Sequence, residues 1–471
     1  MIFSIEKKSP ERIAAKSPDG SCLTYGELCK FSEKLKLHLQ NRRLVFCFCE
    51  NELGALAGYI GAVNCEAVPL LLDAKLKKEQ LTELFQSYRP EYIWARDIQE
   101  AEDFISGKML TGCKEYGLFQ SIYFEKKEKE LHKSLGLLLA TSGSTGSPKL
   151  VRLSLENLES NAMAICQYLF IDEKEKPITS LPMQYTYGLS VINSHLLAGA
   201  CILMTKSSCV QTEFWEFFQK EKASSMAGVP YTYKILKRLK MFQKEIPSLH
   251  YMTQAGGRLS EELQEEIGSW AQRYGIKFYV MYGQTEATAR MAYLPPEMCL
   301  KKPGSIGIAI PGGELFLLNE KKEKIMEPST EGELLYRGAN VSLGYARKRE
   351  DLCLGDENHG ELFTGDLAKM GEEGYFYITG RKKRFVKMYG IRVSLDECEK
   401  ILKKEYPDAD LACSGKDDNI QIFITKNEAA REAALFLADR LKLNFKGISE
   451  IYIEKIPRNS SGKVLYSKLQ Q

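Results

Sequence analysis

The sequence predicts an α/β protein with largely parallel sheets, followed by a small α+β unit at the C-terminal end. Short apolar runs at Leu44–Cys49, at Tyr92–Ala95 and at residues 67–72 alternate with helix-periodic segments at residues 28–39, 52–63 and 80–87. Strand–helix alternation of this kind is typical of layered α/β folds. After Gly380 the pattern changes to a dense run of positive charge and then to shorter helix and strand patterns.

The most apolar stretch of the chain covers residues 53–72. It contains Asn64, Glu66 and Pro69, which a membrane-spanning helix rarely carries together. The stretch therefore predicts a buried helix that leads into a strand, and no membrane span is expected.

The C-terminal pattern predicts a separate small domain. Residues 394–404 have the pattern of an amphipathic helix, with Ser394 as N-cap and Glu397 completing a capping box. Strand patterns at residues 420–425 and 450–453 flank a helix pattern at residues 428–441. We predict a large domain at residues 1–382 and a small domain at residues 383–471, with a hinge near Lys383.

The composition excludes several classes of function. The 471 residues can bury a large core without disulfides or metals, and a net charge of +3 gives no reason to expect nucleic-acid binding. The 13 cysteines include no CxxC pair and the five histidines show no metal-ligand spacing, so reduced thiols in a cytosol are the simplest expectation. The N-terminal residues lack the pattern of a signal peptide, and we predict a cytoplasmic protein.

The strongest local signal is LLLATSGSTGSPKLVRL at residues 137–153, where a small, polar loop ending in Lys149 separates two apolar runs. Small residues let backbone N–H groups close around a phosphate, hydroxyls add donors, and Lys149 adds positive charge. Pro148 before the lysine and the β-type residues after it argue against a Walker A loop, which opens a helix. A phosphate loop of another kind is therefore predicted, with a Ser/Gly-rich hairpin turn as the alternative.

This loop and further motifs, in the same order along the chain, resemble the signatures of the adenylate-forming superfamily of acyl-CoA synthetases, adenylation domains and beetle luciferases. The further motifs are Thr24-Tyr25-Gly26-Glu27-Leu28, Val68-Pro69-Leu70, Tyr282-Gly283-Gln284-Thr285-Glu286, Gly332-Glu333-Leu334 with Gly338 and Gly344-Tyr345, Thr364-Gly365-Asp366, Gly380-Arg381-Lys382-Lys383 with Lys387 and Gly390, and Asn459-Ser460-Ser461-Gly462-Lys463. The resemblance spans nearly the whole chain. It implies a large N-terminal domain of layered α/β sheets with a β-barrel-like subdomain, and a small mobile C-terminal lid.

The resemblance also implies an activity in two steps. A carboxylic acid attacks the α-phosphate of ATP and gives an acyl-adenylate and pyrophosphate; a phosphopantetheine thiol then takes the acyl group and releases AMP. The implied cofactors are ATP and Mg²⁺, with CoA as the favoured acceptor. A free-standing enzyme that loads an acyl carrier protein in trans is the alternative. A non-catalytic binding protein and a light-producing oxidase are further alternatives from the same superfamily motifs.

By resemblance, the motifs supply both the catalytic and the nucleotide-binding residues. Glu286 would hold Mg²⁺, Thr285 would touch the α-phosphate, and Lys463 would bridge that phosphate and the substrate carboxylate. Tyr282 would stack on adenine, and Lys383 would act as the hinge. The remaining predicted contacts to ATP or AMP are Thr141, Ser142, Gly143, Ser144, Thr145, Gly146, Lys149, Gly256, Gly257, Gly283, Asp366 and Arg381, of which Asp366 would accept the ribose hydroxyls with Arg381 beside it.

The acid pocket is predicted from LPMQYTYGL at residues 181–189, which resembles the family's LPxxHxxG segment with Tyr185 in place of the usual histidine. Amino-acid-activating relatives carry an Asp here, at the position of Gly188. Because burying an ammonium without a carboxylate is costly, we expect an acid that lacks an α-ammonium group. The predicted pocket residues are Tyr185, Gly188, Asn193, Val229 and Met281. Core packing is the alternative explanation for Tyr185, and polar packing on a helix face for Asn193.

Overall fold

The computed structural model describes residues 1–39, 42–125, 129–140, 149–389, 391–426, 430–458 and 464–469. These residues group into two compact units. The first contains the described residues up to 140 and residues 149–315 and 336–362; the second contains residues 316–335 and those from 363 onward. The boundary predicted near Lys383 falls inside the second unit, and the division into residues 1–382 and 383–471 stays a prediction.

Helices and strands alternate along the described chain. The α-helices are α1 (Tyr25–Lys36), α2 (Leu53–Asn64), α3 (Lys78–Tyr88), α4 (Leu155–Leu169), α5 (Thr186–Ala198), α6 (Thr212–Glu221), α7 (Pro230–Arg238), α8 (Glu261–Arg273), α9 (Leu395–Glu405) and α10 (Ala430–Leu441). The strands are β1 (Ile13–Lys16), β2 (Cys22–Thr24), β3 (Leu44–Cys49), β4 (Val68–Asp73), β5 (Tyr92–Ala95), β6 (Thr111–Cys113), β7 (Tyr116–Gln120), β8 (Leu135–Ala140), β9 (Leu150–Ser154), β10 (Pro177–Ile178), β11 (Ile202–Leu203), β12 (Ser225–Gly228), β13 (Tyr251–Gln254), β14 (Lys277–Tyr282), β15 (Ala292–Leu294), β16 (Ile308–Ala309), β17 (Gly313–Leu318), β18 (Lys324–Ile325), β19 (Glu331–Gly338), β20 (Gly344–Ala346), β21 (Glu361–Met370), β22 (Phe376–Arg381), β23 (Phe385–Met388), β24 (Ile391–Ser394), β25 (Leu411–Lys416), β26 (Asn419–Ile424) and β27 (Ile448–Tyr452).

An eight-stranded sheet in the first unit has the order β20-β9-β8-β4-β3-β5-β7-β6. Its central strand β3 pairs in parallel with β4 and β5, as the alternating pattern predicts. All six residues of β3 are buried, with Phe46 and Phe48 in one core cluster and Cys47 and Cys49 in another. Because both faces of the sheet are covered, the strand is a continuous apolar run instead of an alternating one.

Helix α2 and strand β4 confirm the prediction for the apolar stretch at residues 53–72. Every residue of α2 from Leu53 to Val63 is buried, and β4 lies beside β3 in the sheet interior. Among the described residues, no helix is both long and apolar enough to cross a membrane.

Helix α1 begins three residues earlier than its periodicity predicts. The Thr24 hydroxyl accepts a hydrogen bond from the Glu27 backbone N–H, and the Glu27 carboxylate accepts one from the Thr24 N–H. This capping box provides acceptors for two backbone N–H groups that have no partner within the helix, so the helix begins at Tyr25.

A nine-stranded sheet, also in the first unit, has the order β16-β15-β14-β13-β12-β10-β11-β1-β2. Strands β12, β13 and β14 are neighbours and run in parallel. Their carboxyl ends therefore lie along one edge, which is where parallel α/β sheets place functional side chains.

Three smaller sheets are also described. A five-stranded sheet in the order β18-β17-β19-β21-β22, most of whose residues belong to the second unit, lies in the part of the sequence where the resemblance implies a β-barrel-like subdomain. The pair β23-β24 follows, and then the sheet β25-β26-β27 with α9 and α10. Helix α9 begins after Ser394, whose hydroxyl accepts a hydrogen bond from the Glu397 N–H, so the predicted N-cap is confirmed. The second half of the predicted capping box, a bond from the Ser394 N–H to the Glu397 carboxylate, is not formed in the described residues. Buried Leu402, Ile422 and Leu437 belong to the core that joins these helices to the sheet.

Candidate active site

The predicted phosphate loop joins two paired strands. Strands β8 and β9 are antiparallel, with Ala140 opposite Leu150, as the two apolar runs suggest. Residues 141–148 lie outside the described residues, and with them the predicted contacts Thr141, Ser142, Gly143, Ser144, Thr145 and Gly146. Lys149 is described, at the start of the returning strand.

Lys149, Tyr345 and Glu286 come together from three separate motifs. The Lys149 Nζ lies 3.2 Å from the centroid of the Tyr345 ring, a cation–π contact. The Tyr345 hydroxyl donates a 2.8 Å hydrogen bond to Oε1 of Glu286. Burial, with the Glu286 charge beside it, raises the pKa of Tyr345, so the phenol stays a donor. The predicted Mg²⁺ carboxylate and the predicted phosphate lysine thus share one supporting side chain.

Strand β20 explains how Tyr345 reaches this position. Tyr345 pairs with Val151 of β9, so its ring lies near the end of the predicted phosphate loop. Glu286 lies in a short 3-10 helix at Thr285–Ala287, shortly after β14 ends at Tyr282. Among the described residues, Tyr345 is the only group that donates a hydrogen bond to the Glu286 carboxylate. The remaining oxygen lone pairs fit a hard divalent cation, which takes carboxylate and phosphate oxygens.

The ends of three parallel strands carry further predicted residues. Val229 follows β12, Gly256 and Gly257 follow β13, and Tyr282 closes β14. Gly283 comes next, and a Cβ on it would lie 1.6 Å from the Ala289 carbonyl oxygen, so only glycine fits. The structure therefore brings these segments together at one edge of the nine-stranded sheet.

Tyr185 and Val229, two residues of the predicted acid pocket, lie against Gly256, which was predicted as a nucleotide contact. Gly256 has a φ of +84°, and a Cβ there would lie 2.6 Å from the Tyr185 hydroxyl and 3.1 Å from Val229. Burial raises the pKa of Tyr185, so its phenol is neutral. Glycine at position 256 thus leaves room for the Tyr185 side chain.

Two other predicted pocket residues face elsewhere. A Cβ on Gly188 would lie 2.2 Å from the Pro182 carbonyl oxygen, so the helix backbone packs directly on that segment. The side-chain oxygen of Asn193 accepts a 3.1 Å hydrogen bond from Tyr59 inside the core. This contact matches the alternative explanation for Asn193, polar packing between helices, while its role in the pocket stays a prediction.

In the second unit, Asp366 and Arg381 are cross-strand partners. They lie opposite each other on β21 and β22, and Nε of Arg381 is 3.2 Å from Oδ1 of Asp366. The carboxylate is buried, whereas the arginine side chain is 61% exposed. The Thr364 hydroxyl accepts the Asp366 N–H and donates to the Leu334 carbonyl, which fixes the strand before the acid. Arg381 therefore lies beside Asp366, as the resemblance implies.

The remaining predicted residues are only partly described. The backbone of Lys383 lies in a 3-10 turn at Lys382–Arg384, but its side chain lies outside what the structure describes. Lys463 also lies outside the described residues. The hinge and the catalytic lysine stay predictions.

Sequence reasoning missed two residues. Tyr345 belongs to a quoted motif, but no role was inferred for it, because its contact with Glu286 joins residues 59 positions apart. Arg290 is 1% exposed and its guanidinium carbon lies 4.3 Å from the Tyr187 ring centroid. The sequence does carry a signal for Arg290, because it is a lone basic residue in the small, apolar segment that follows the YGQTE motif.

Comparison with known proteins adds independent support. The sequence pattern of a family described as AMP-binding enzyme matches residues 4–346 of this chain. The chain belongs to the AMP-binding enzyme family. The predicted adenylate-forming superfamily and the predicted enzyme class, an AMP-forming enzyme of the acyl-CoA synthetase type, are confirmed.

This AMP-binding enzyme has named relatives. It is 29% identical to an oxalate–CoA ligase of Arabidopsis thaliana over 343 residues, which cover 70% of this chain and 65% of that protein. It is 26% identical to a 2-succinylbenzoate–CoA ligase of Bacillus cereus over 433 residues, 88% of this chain and 84% of that protein. Its fold matches O-succinylbenzoate coenzyme A synthetase of Bacillus subtilis, solved with ATP and a magnesium ion, with a TM-score of 0.78 and 20% identity over 100% of this chain and 98% of that one. The predicted fold class is thereby confirmed.

Proposed function

We propose that this AMP-binding enzyme is an ATP-dependent acid–CoA ligase. It converts a carboxylic acid and ATP to an acyl-adenylate and pyrophosphate, and then transfers the acyl group to the thiol of CoA with release of AMP. The observation that carries the proposal is the meeting of Lys149, Tyr345 and Glu286. A lysine and a carboxylate held by one tyrosine, beside a loop of phosphate-binding composition, suit a nucleotide with its metal ion.

The first step needs two anions, a carboxylate and a triphosphate, to approach each other. Lys149 supplies positive charge for the phosphates, and Glu286 would hold Mg²⁺, which neutralises phosphate charge when bound. Thr285 would contact the α-phosphate. Lys463 would lie between that phosphate and the attacking carboxylate and stabilise the charge on the reacting oxygens.

The predicted nucleoside contacts of each unit have the chemistry that a nucleoside needs. Tyr282, in the first unit, presents a half-buried ring on which adenine can stack. Asp366, in the second unit, is a buried carboxylate that can accept hydrogen bonds from both ribose hydroxyls, and Arg381 lies beside it. The chain's own residues therefore fit ATP.

The acid that is activated lacks an α-ammonium group. Tyr185, Val229 and Met281 bring no carboxylate to the described part of the pocket, and the buried cation Arg290 lies over the ring of Tyr187. A buried ammonium would have no anion to pair with and would be repelled by that arginine.

The acceptor is CoA, as the names of both ligase relatives suggest. The thirteen free cysteines support a location in a reducing compartment, and we propose the cytoplasm. The hinge at Lys383 would let the C-terminal segment change conformation between the two steps.

The test is acid-dependent ATP–pyrophosphate exchange across short, medium, hydroxy, aryl and dicarboxylic acids, followed by transfer to CoA or to a holo acyl carrier protein. The proposal expects exchange with at least one acid and a thioester with CoA. If a thioester forms with the carrier protein but not with CoA, the carrier protein is the acceptor. If none of the acids supports exchange, the proposed adenylation is overturned.

A further inference from the structure

Three arginines are buried among the described residues, and they differ in what neutralises them. Arg152 pairs with Glu357. Arg349 pairs with Glu91, with 2.5 Å between Nη2 and Oε1. Arg290, which is 1% exposed, forms no ion pair with any Asp or Glu in the described parts of the chain. A buried charge without a counter-ion is costly, so proteins rarely keep one without a reason.

The described partners of Arg290 are all neutral. Its Nε and Nη2 donate to the Ser190 hydroxyl at 3.2 and 3.0 Å. Its Nη1 donates to the Tyr168 hydroxyl at 3.4 Å and contacts the sulfur of Met281. The guanidinium lies on the face of Tyr187, which offers only part of the stabilisation that an anion would give. These contacts orient the guanidinium plane without neutralising it.

The titratable neighbours of Arg290 also stay uncharged near neutral pH. Burial raises the pKa of Tyr168 and that of Tyr187 to about 12, against the opposing effect of Arg290. Burial lowers the pKa of His195 to about 4, so this imidazole is neutral. None of these described neighbours therefore supplies a negative charge to Arg290 near neutral pH.

Arg290 lies between a small internal space and residues of the predicted acid pocket. It lines a narrow internal space together with Ser194, His195, Tyr251 and other residues of the same core region. It also contacts Met281, a predicted pocket residue. On the other side of Tyr187 lies Tyr185, with 6.3 Å between the two ring centroids. The guanidinium thus adjoins the predicted acid pocket.

We propose that Arg290 determines substrate specificity by pairing with a second carboxylate on the acid, so that this enzyme prefers acids with an additional carboxylate over the matching monocarboxylic acids. The inference rests on the proposed adenylation of an acid. A carboxylate matches the planar fork of a guanidinium and needs little space. A monocarboxylic acid of the same size leaves the buried cation unpaired.

The test compares matched acids in ATP–pyrophosphate exchange: succinate with butyrate, phthalate with benzoate, and 2-succinylbenzoate with 2-butyrylbenzoate. The wild type is expected to prefer at least one acid with the extra carboxylate, and Arg290→Met is expected to reduce that preference by roughly 30-fold or more, mainly through KM. Arg290→Lys should retain part of it, because the charge remains but the fork is lost. An unchanged preference in Arg290→Met, or a wild type that favours the monocarboxylic acids, overturns the inference and leaves the proposed function intact.

Failure of the proposed function is recognised separately. If no acid supports exchange, the binding of the same acids to the nucleotide-loaded protein is measured by calorimetry. Binding of a dicarboxylate to the wild type that Arg290→Met abolishes supports the role of Arg290. Equal binding to both proteins, or binding to neither, contradicts that role.

Thermal unfolding of the ligand-free variants separates specificity from a structural role. Arg290→Met removes an unpaired buried charge, so its Tm should equal or exceed that of the wild type. Arg349→Met is the matched control; it removes the nearer cation from buried Glu91 and leaves only Arg43, whose Nη1 is 3.8 Å from Oε1, so its Tm should fall by several degrees. A similar fall for both variants would assign Arg290 to the structure of the core and overturn the inference.

Discussion

Tyr345 connects Glu286 to Lys149: its hydroxyl donates a 2.8 Å hydrogen bond to the carboxylate, and its ring lies 3.2 Å from the ammonium. The tyrosine comes from an edge strand of the eight-stranded sheet, whereas Glu286 follows the last parallel strand of the nine-stranded sheet. One side chain therefore fixes the carboxylate proposed for Mg²⁺ with respect to the lysine proposed for phosphate.

Substitution of Tyr345 by Phe should weaken the use of Mg²⁺ without unfolding the protein. The variant keeps the ring below Lys149 but loses the donor that orients Glu286. Loss of such a supporting contact raises the Mg²⁺ concentration for half-maximal adenylation by roughly 10-fold. The measurement is the adenylation rate against Mg²⁺ at fixed ATP. Tyr231→Phe, at an exposed position, is the control, and identical Mg²⁺ curves for the two variants would count against the assignment.

Substitution of Asp366 by Asn should weaken recognition of the ribose. The amide cannot accept two hydroxyl protons as a carboxylate does, so KM for ATP should rise by roughly 10- to 100-fold. The discrimination between ATP and 2′-deoxyATP should shrink in the same variant. Glu372→Gln, exposed in the turn of the same hairpin, is the control. If the variant still discriminates between ATP and 2′-deoxyATP as the wild type does, Asp366 only stabilises the pairing of β21 with β22.

His195 predicts a dependence of stability on pH. Its Nδ1 donates to the Val191 carbonyl and its Nε2 accepts from Tyr251, and burial lowers its pKa to about 4. Between about pH 6.5 and about pH 4 the unfolded chain binds a proton that the folded chain does not. As the pH is lowered through this window, the free energy of unfolding therefore falls by about 1.4 kcal/mol per pH unit, and by about 3 kcal/mol in total.

Urea unfolding of His195→Gln at several pH values tests this origin. The variant should be less stable at neutral pH, because Tyr251 loses its partner, but its free energy of unfolding should fall less steeply as the pH is lowered through the window. His359→Gln, at an exposed position, should keep the wild-type slope. Parallel slopes for all three proteins would refute the account of His195.

Substitution of Lys463 by Ala should separate the two half-reactions. The lysine is proposed to act on the α-phosphate and the attacking carboxylate, so adenylation should fall by about 100-fold or more. Formation of the thioester from supplied acyl-adenylate should be largely retained. Lys468→Ala, an exposed lysine nearby in sequence, is the control. Equal loss of both steps would contradict the assigned role.

Much of the fold was predictable because its signals are local. The run at Leu44–Cys49 was predicted as a short apolar strand, and the structure has a strand with the same bounds. Residues 428–441 were predicted as a helix, and α10 is described from Ala430 to Leu441. Helix α1 starts earlier than predicted because its capping box, at Thr24 and Glu27, lies before the apolar periodicity begins.

The site was less predictable because its contacts join distant segments. Motif order led to Glu286, Asp366 and Arg381, but no spacing rule announces that Tyr345 would bond Glu286 across two sheets. The direction of Asn193 depends on which helix face meets Tyr59, and periodicity alone does not give that. Arg290 became informative only once its buried neighbours were known to be neutral.

A product analysis of the complete reaction tests whether the protein is an acid–CoA ligase. The protein, ATP, Mg²⁺, CoA and an acid that supports pyrophosphate exchange are incubated, and acyl-CoA, AMP and pyrophosphate are quantified together by mass spectrometry and an enzyme-coupled phosphate assay. The account predicts the three products in equal amounts, each dependent on the acid. ADP and inorganic phosphate in their place, or AMP without any acyl-CoA, would contradict it.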